Sequence, residues 1–182
     1  MLEVINEPLP GLLLIKPKVF KDERGFFLET WQKERYIDIG VKDDFVQDNW
    51  SRSKKGVLRG LHFQKRNPQG KLVSVRSGSV FDVAVDIRSD SPTFGQWYGE
   101  VLNEENNYQL YVPPGFAHGF SVITNTVDFV YKCTSYYDQN DEGGIIWSDN
   151  KLNIDWLNDN PIVSDKDKSL PSFNELIELG II

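Results

Sequence analysis

Short segments rich in valine, isoleucine and aromatic residues, separated at close intervals by glycine and proline, constrain this chain most. The 182 residues include 14 glycines and 9 prolines, and these turn-forming residues are scattered along the whole length. Segments of this size have the length of β-strands and are too short for most helices. The pattern predicts an all-β fold, built as a sandwich or a barrel.

The clearest predicted strand is Val80–Ile87, in which an apolar set of side chains alternates with a set that includes Asp82 and Asp86. A period of two is typical of a strand that is buried on one face only. The dipeptide Ser77-Gly78 separates this strand from the preceding one, Lys71–Arg76. The two strands are therefore predicted to form a hairpin.

The remaining elements are predicted by the same criteria. Further strands are expected at Leu12–Lys16, Phe26–Thr30, Asp44–Ser51, Val57–Gln64, Trp97–Leu102, Tyr108–Val112, His118–Ile123, Asp128–Cys133 and near Ile145. Two short helices are expected. One is Trp31–Ile39, and the other follows a capping-box pattern at Ser172–Glu175 and has Phe173, Leu176 and Ile177 on one face. No repeat or linker divides the sequence, so residues 1–182 are predicted to form a single domain.

Composition and charge exclude several classes of protein. The chain has 20 basic and 27 acidic residues, a formal net charge of −7. This acidic balance argues against nucleic-acid binding, although a pocket with a few cations could still bind a small phosphorylated ligand.

The single cysteine, Cys133, excludes an intramolecular disulfide and predicts a cytoplasmic location. The longest apolar stretch near the N-terminus, Leu12–Ile15, is too short for a signal peptide or a membrane span, so no membrane association is expected.

Motifs for nucleotide cofactors and metals are missing. Neither GxGxxG nor GxxxxGK[ST] occurs, so no nucleotide cofactor is predicted. The only imidazoles are His62 and His118. Neither has a second histidine or a carboxylate at neighbouring strand spacing, so no metal site is predicted. A site of two histidines and one carboxylate remains an alternative.

Each candidate chemical residue also has an ordinary structural explanation. His62 lies on a predicted strand beside Gly60, which leaves room for an approaching group. Strict alternation would place Arg59 on the opposite face from His62. A histidine on a strand can be a hydrogen-bonded structural residue or a catalyst.

The same ambiguity applies to three other residues. His118 follows a proline-rich turn and could satisfy loop carbonyl groups. Tyr131 lies in an apolar strand, where a phenol can be a proton donor or a packed core residue. Asp167, judged by its charged neighbours alone, would be an exposed loop residue.

Eight segments considered together are more informative than any single residue. They are Asp22–Thr30, Phe45–Asn49, Gly56–Gln64, Pro68–Val73, Phe81–Arg88, Val112–Phe120, Tyr131–Thr134 and Ser164–Asp167. In sequence and in order, these segments resemble the dTDP-4-dehydrorhamnose 3,5-epimerase family of the cupin superfamily. The resemblance spans nearly the whole chain.

The resemblance implies a fold, an assembly and a reaction. The expected fold is a cupin-type jelly-roll β-barrel with a few short helices, and the expected assembly is a homodimer whose subunits exchange N-terminal strands. The expected substrate is dTDP-4-dehydro-6-deoxy-D-glucose, a dTDP-sugar inverted at C3 and C5 to give dTDP-4-dehydro-L-rhamnose in dTDP-L-rhamnose biosynthesis. Neither a metal nor a cofactor is expected.

The resemblance also implies catalytic roles for four residues. His62 matches the base, and Asp167 matches the carboxylate that orients its imidazole. Lys71 matches the cation placed near the C4 oxygen, where it would stabilise an enolate. Tyr131 matches the acid that returns a proton on the opposite face of the sugar.

Further positions match the family's substrate-binding residues. They are Arg24, Glu29, Gln47, Asn49, Arg59, His118, Tyr137, Glu142 and Lys166. Tyr137 corresponds to the aromatic residue that stacks on the nucleotide base. Arg24 and Glu29 would come from the exchanged N-terminal strands, and Arg59 and Lys166 could pair with the pyrophosphate.

Three alternatives remain open at this stage. The first is a single-carbon (3- or 5-) epimerase on a related nucleotide 4-keto sugar. The second is a metal-dependent cupin enzyme that uses both histidines and a carboxylate. The third is a jelly-roll module that binds a sugar without turning it over.

Overall fold

The computed structural model describes residues 2–182, which form mainly antiparallel strands and three short helices. The strands are β1 (Glu3–Leu9), β2 (Leu12–Lys16), β3 (Val19–Asp22), β4 (Gly25–Leu28), β5 (Gln47–Lys54), β6 (Leu58–Gln64), β7 (Lys71–Ser77), β8 (Ser79–Asp86), β9 (Trp97–Asn103), β10 (Gln109–Val112), β11 (Phe116–Val122), β12 (Thr126–Cys133) and β13 (Glu142–Gly144). The helices are α1 (Lys33–Asp38), α2 (Asp165–Lys168) and α3 (Phe173–Glu178).

Two sheets face each other and enclose the main core. The larger sheet has the order β1-β2-β10-β7-β12-β5, and the smaller has the order β13-β6-β11-β8-β9. Apolar side chains from both sheets fill the space between them, among them Leu14, Val73, Leu110, Phe120 and Phe129. This two-sheet arrangement confirms the predicted all-β jelly roll.

The predicted hairpin between β7 and β8 is wrong. β7 pairs with β10 and β12 in the larger sheet, whereas β8 pairs with β9 and β11 in the smaller one. The turn at Gly78 therefore carries the chain from one sheet to the other. It is tightly packed, because a Cβ on Gly78 would lie 2.2 Å from the carbonyl oxygen of Thr126. A short turn between two strands does not by itself specify that they pair.

β8 is also buried on both faces, not on one face as its alternation predicts. Val80 and Ala84 belong to the core between the sheets. Phe81, Val83 and Val85 belong to a second core on the outer face of the smaller sheet. The second core exists because the C-terminal part of the chain covers that face.

The C-terminal segment covers this outer face with Trp156, Phe173 and Leu176. The predicted capping box at the start of α3 is confirmed: the Ser172 side chain accepts the Glu175 N–H, and the Glu175 side chain accepts the Ser172 N–H. Ile177 is 37% exposed and does not share the buried face, so that part of the helix prediction is wrong.

A third cluster lies on the outer face of the larger sheet. Helix α1, shorter than the predicted Trp31–Ile39, buries Tyr36 against Leu13 and Leu72. The Tyr36 hydroxyl contacts the side-chain oxygen of Gln109 at 2.5 Å, which fixes the helix to β10.

Two strands and one helix were not predicted. β1 consists mostly of exposed residues and so has no apolar period, β3 is a short partner of β4 on the surface, and α2 is a single turn. Between residues 2 and 182, none of the helices is long and apolar enough to cross a membrane.

Candidate functional site

A cavity opens between the two sheets and is lined by side chains from both. Its volume is about 510 Å³, and His62, Lys71, His118 and Tyr131 lie on its wall. An adjoining cavity of about 290 Å³ shares His62, Lys71 and Tyr131 with it and extends towards Tyr137. These shared residues mark the centre of one continuous site.

His62 and Asp167 form a hydrogen-bonded pair at this centre. His62 lies on β6, and its Nε2 is 2.7 Å from Oδ1 of Asp167, which lies on α2. The side chain of Asp167 is 5% exposed and that of His62 is 29% exposed. Asp167 is therefore a buried carboxylate, and not the exposed loop residue that its charged neighbours alone suggest.

The chain folds locally to hold Asp167 in place. The Ser164 side chain accepts the backbone N–H of Asp167 and so begins α2, and the Gly60 N–H donates to the second carboxylate oxygen at 3.3 Å. Burial raises the pKa of the Asp167 carboxyl, but hydrogen bonds from His62 and Gly60 and the nearby charge of Lys166 outweigh it. The net effect holds this pKa below its ordinary value, so the carboxyl is ionised at neutral pH.

An ionised carboxylate can only accept a hydrogen bond, so Nε2 of His62 must be the donor to Asp167. A neutral His62 ring therefore carries its proton on Nε2. The other ring nitrogen, Nδ1, then has a free lone pair. This arrangement can abstract a proton from a ligand and stabilise the imidazolium that forms.

Tyr131 and Lys71 come from the larger sheet, across the cavity from His62. Burial raises the pKa of the Tyr131 phenol, so it is protonated at neutral pH. Burial lowers the pKa of Lys71, while nearby Cys133, Asp82 and Glu142 oppose this effect. Among residues 2–182, Lys71 has no carboxylate within 4 Å, so its ammonium is available to a negatively charged oxygen.

His118 lies directly opposite His62 in the β6–β11 register. Its Nε2 is 3.0 Å from both carboxylate oxygens of Asp82, which is fully buried. Burial lowers the pKa of His118, and the Asp82 charge opposes this shift. The sequence spacing indicated no carboxylate beside either histidine, yet the fold provides one for each. Asp82 is flanked by apolar residues in a buried strand. A charged residue in such a segment indicates a buried polar partner, and this feature of the sequence could have predicted the His118–Asp82 pair.

Arg59 and His62 both line the cavity, although strict alternation predicts opposite faces for them. The register between β11 and β6 shifts between the pairs His118–His62 and Phe120–Arg59, which breaks the alternation. Gly60 lies within this irregularity and packs against Gly119. The backbone therefore brings the Arg59 and His62 side chains to one site.

A polar network at the outer edge of the site joins five predicted binding residues. The Tyr137 hydroxyl donates to Oε2 of Glu142 at 2.8 Å, and the Lys166 ammonium donates to the same oxygen. Gln47 accepts the Tyr137 backbone N–H at 2.9 Å, and its side-chain amide donates to Asn49 at 3.1 Å. The structure thus brings these five residues together.

Arg24 and Glu29 are the two predicted site residues that lie elsewhere in this chain. Arg24 is highly exposed at the β3–β4 turn and pairs with Asp22. Glu29 pairs with Arg35 and lines a separate cavity. Neither residue lines the cavities that contain His62.

Within residues 2–182, no cluster of three or more histidine, cysteine, aspartate or glutamate side chains is placed to hold a metal ion. The two histidines each contact a separate aspartate instead.

Comparisons with known proteins identify similar chains over nearly the full length. Residues 6–175 match a family model described as dTDP-4-dehydrorhamnose 3,5-epimerase. The chain is 52% identical over 168 residues to the dTDP-4-dehydrorhamnose 3,5-epimerase of Shigella flexneri, an alignment that covers 91% of this chain and 93% of the relative.

Two solved structures are also similar. One is dTDP-6-deoxy-D-glucose-3,5-epimerase from Legionella pneumophila in complex with dTDP-4-keto-L-rhamnose, with a TM-score of 0.95, 50% identity and coverage of 100% of this chain and 97% of that one. The other is a 3'-monoepimerase from Streptomyces bikiniensis in complex with dTDP-quinovose, with a TM-score of 0.90, 30% identity and coverage of 97% and 90%.

The close approach of β6 to β11 gives the first testable prediction. A Cβ on Gly60, whose φ is +132°, would lie 2.5 Å from the Cα of Gly119. Gly25, with φ of +126° and nothing within 4 Å of an added Cβ, is a matched control. We expect Gly60→Ala to lower the free energy of unfolding by at least about 2 kcal/mol more than Gly25→Ala does, in urea denaturation. Equal losses in the two variants would contradict the packing argument.

Proposed function

Because the chain belongs to the dTDP-4-dehydrorhamnose 3,5-epimerase family, we propose that its site inverts C3 and C5 of dTDP-4-dehydro-6-deoxy-D-glucose to give dTDP-4-dehydro-L-rhamnose. The chain is thus an isomerase of dTDP-L-rhamnose biosynthesis. The observation that carries the proposed mechanism is the placement of His62 and Tyr131 on opposite sheets around one cavity, with Asp167 hydrogen-bonded to His62.

The chemistry of the substrate determines what the site must supply. C3 and C5 both flank the C4 ketone, so loss of a proton from either carbon gives an enolate whose charge rests on the C4 oxygen. Inversion requires a base on one face of the sugar and an acid on the other. It also requires a cation near the C4 oxygen.

We assign the base to Nδ1 of His62. In each inversion the C–H electron pair moves into the enolate and the proton passes to Nδ1. The ionised Asp167 then faces a positively charged imidazolium, which it stabilises through the same hydrogen bond.

Lys71 stabilises the enolate in this proposal. Its ammonium has no carboxylate partner within 4 Å in the described chain, so it can interact with the C4 oxygen as negative charge develops there. Removal of one such positioned donor costs about 10²–10³ in rate in well-studied enzymes.

Tyr131 returns a proton to the opposite face of the carbon. Its raised pKa makes the phenol a weak acid towards water, yet a strong enough one to protonate an enolate carbon. After each inversion, His62 holds one extra proton and Tyr131 lacks one, and exchange with solvent restores both groups.

The nucleotide part of the substrate is assigned to the outer edge of the site. Tyr137 would stack on the base, while Gln47, Asn49, Arg59, His118, Glu142 and Lys166 would bind the remaining polar groups. The Legionella relative, in complex with a dTDP-sugar, supports a dTDP-sugar as ligand.

No metal or cofactor enters this mechanism. The substrate and the unpaired Cys133 thiol fit a cytoplasmic enzyme.

The β3–β4 hairpin supports a homodimer with exchanged N-terminal strands. Phe20, Phe26 and Phe27 are 52%, 64% and 68% exposed in the single chain. Three exposed aromatic side chains on a two-stranded hairpin favour burial against a second subunit. The same exchange would carry Arg24 and Glu29 into the partner's site.

An epimerase that acts at one carbon is the second candidate. The similar 3'-monoepimerase from Streptomyces bikiniensis has the same fold at 30% identity. The same base and acid serve both reactions, so the products must decide between them.

Solvent exchange tests the reaction directly. In deuterated water, the wild-type protein is expected to incorporate deuterium at both C3 and C5 of the 4-keto sugar, as followed by NMR. His62→Asn should slow exchange at both carbons by about 10²-fold or more. Tyr131→Phe should still exchange protons through His62 but without inversion, because the opposite-face acid is gone.

Deuterium at one carbon only would instead support the single-carbon epimerase. Absence of exchange from the wild-type protein would contradict the enzymatic proposal and favour a binding module. Full wild-type activity in excess EDTA, with no metal in the purified protein, would eliminate the metal-dependent alternative.

Mixing two inactive variants tests the exchanged strands. Arg24→Ala and His62→Asn damage different parts of one composite site. If arms are exchanged, each mixed dimer contains one site with an intact His62 and an intact Arg24 from the partner. Unfolding and refolding the variants together should then restore about one quarter of wild-type activity, because half of the dimers are mixed. No recovery, despite mixed dimers detected by mass spectrometry, would contradict the exchange.

A further inference from the structure

Ser51 lies on the wall of the catalytic cavity but has no role in the mechanism above. It belongs to an inward row on β5 that also contains Gln47, Asn49 and Ser53, and the intervening residues point outward. Ser51 lines the same cavity as His62 and Tyr131.

The hydroxyl oxygen of Ser51 is buried and makes no hydrogen bond. Among residues 2–182, it is the one buried side-chain nitrogen or oxygen without a partner. Buried polar groups are nearly always hydrogen-bonded, since an unpaired one destabilises the folded protein. An unpaired hydroxyl at a cavity wall therefore indicates a partner that is present only when the site is occupied.

The surrounding residues indicate the chemistry of that partner. Arg59 donates from Nε to the Ser53 hydroxyl at 3.2 Å, which orients its guanidinium. No carboxylate lies within 4 Å of the Arg59 guanidinium in the described part of the chain. Ser51 is two residues from Ser53 on the same strand face, roughly 7 Å away. Two groups with unused donors thus lie side by side, which suits an oxygen-rich acceptor.

We propose that Ser51 is a further substrate-binding residue whose hydroxyl donates a hydrogen bond to an oxygen of the bound nucleotide sugar, beside Arg59. This inference rests on the proposed function, because it uses the same cavity and substrate. The acceptor belongs either to the diphosphate or to the hexose. Because the Ser51 hydroxyl makes no hydrogen bond in the free chain, turning it towards a bound ligand breaks none.

Ser53 differs from Ser51 in this respect. Its hydroxyl is already engaged with Arg59, so it acts through that side chain as a positioning residue. Ser51 has no such structural task. Its hydroxyl should therefore contribute to ligand binding and nothing to the stability of the free protein.

The test compares Ser51→Ala with the wild-type protein and with Ser77→Ala. Ser77 is an exposed serine at the end of β7 and serves as the matched control. Three quantities are measured: the thermal midpoint without ligand, the Kd of dTDP by calorimetry, and kcat and KM for the 4-keto sugar.

In Ser51→Ala, the thermal midpoint is expected to stay unchanged or rise, because the substitution removes an unpaired buried hydroxyl. Binding is expected to weaken by roughly three- to tenfold, the effect of one lost hydrogen bond. A weaker Kd for dTDP locates the acceptor on the diphosphate. An unchanged Kd for dTDP with a lower kcat/KM locates it on the hexose. Ser77→Ala should change none of these quantities.

An unchanged Kd together with unchanged kcat/KM would overturn the inference, and so would a loss of thermal stability in Ser51→Ala. Failure of the proposed function is distinguishable, because the wild-type protein would then show no solvent exchange at C3 or C5.

Discussion

The hydrogen bond between His62 and Asp167 is the interaction on which the site depends. It joins residues 105 positions apart in the chain. His62 is part of the barrel, whereas Asp167 belongs to the C-terminal segment that covers the outer face of the smaller sheet. The apolar contacts of that segment, such as those of Trp156 and Phe173, therefore do more than complete a core. They hold the carboxylate against the imidazole and determine which ring nitrogen is free.

Much of the fold was predictable because local patterns determine it. The apolar strands and the capping box at Ser172 follow from side-chain periodicity and backbone hydrogen bonding. The pairing of strands did not follow from these local patterns. A turn at Gly78 can form a hairpin or lead the chain to the opposite sheet, and the packing of the whole core determines which of the two occurs. The exposed β1 was missed because it has no apolar face, and the two-sided burial of β8 depends on a segment distant in sequence.

The site was predictable as a set of residues but not as an arrangement. Eleven of the thirteen residues implied by resemblance line two adjoining cavities. Alternation along β8 predicts a polar strand face for Asp82, although the fold buries it against His118. The shared orientation of Arg59 and His62 depends on a register shift that alternation does not encode. The unpaired hydroxyl of Ser51 could not be found from sequence, because an unsatisfied atom is defined only by its surroundings.

The central claim is that Asp167 holds the neutral imidazole of His62 with its proton on Nε2, leaving Nδ1 as the base. Two-bond ¹H–¹⁵N correlation spectra of protein labelled at its two histidines measure this directly, since the two tautomers give different nitrogen shifts. Replacement of His118 by Gln in a second sample assigns the signals. We expect His62, when neutral, to show a protonated Nε2 and an unprotonated Nδ1, and Asp167→Asn to perturb this pattern. A neutral His62 protonated on Nδ1 would contradict the account.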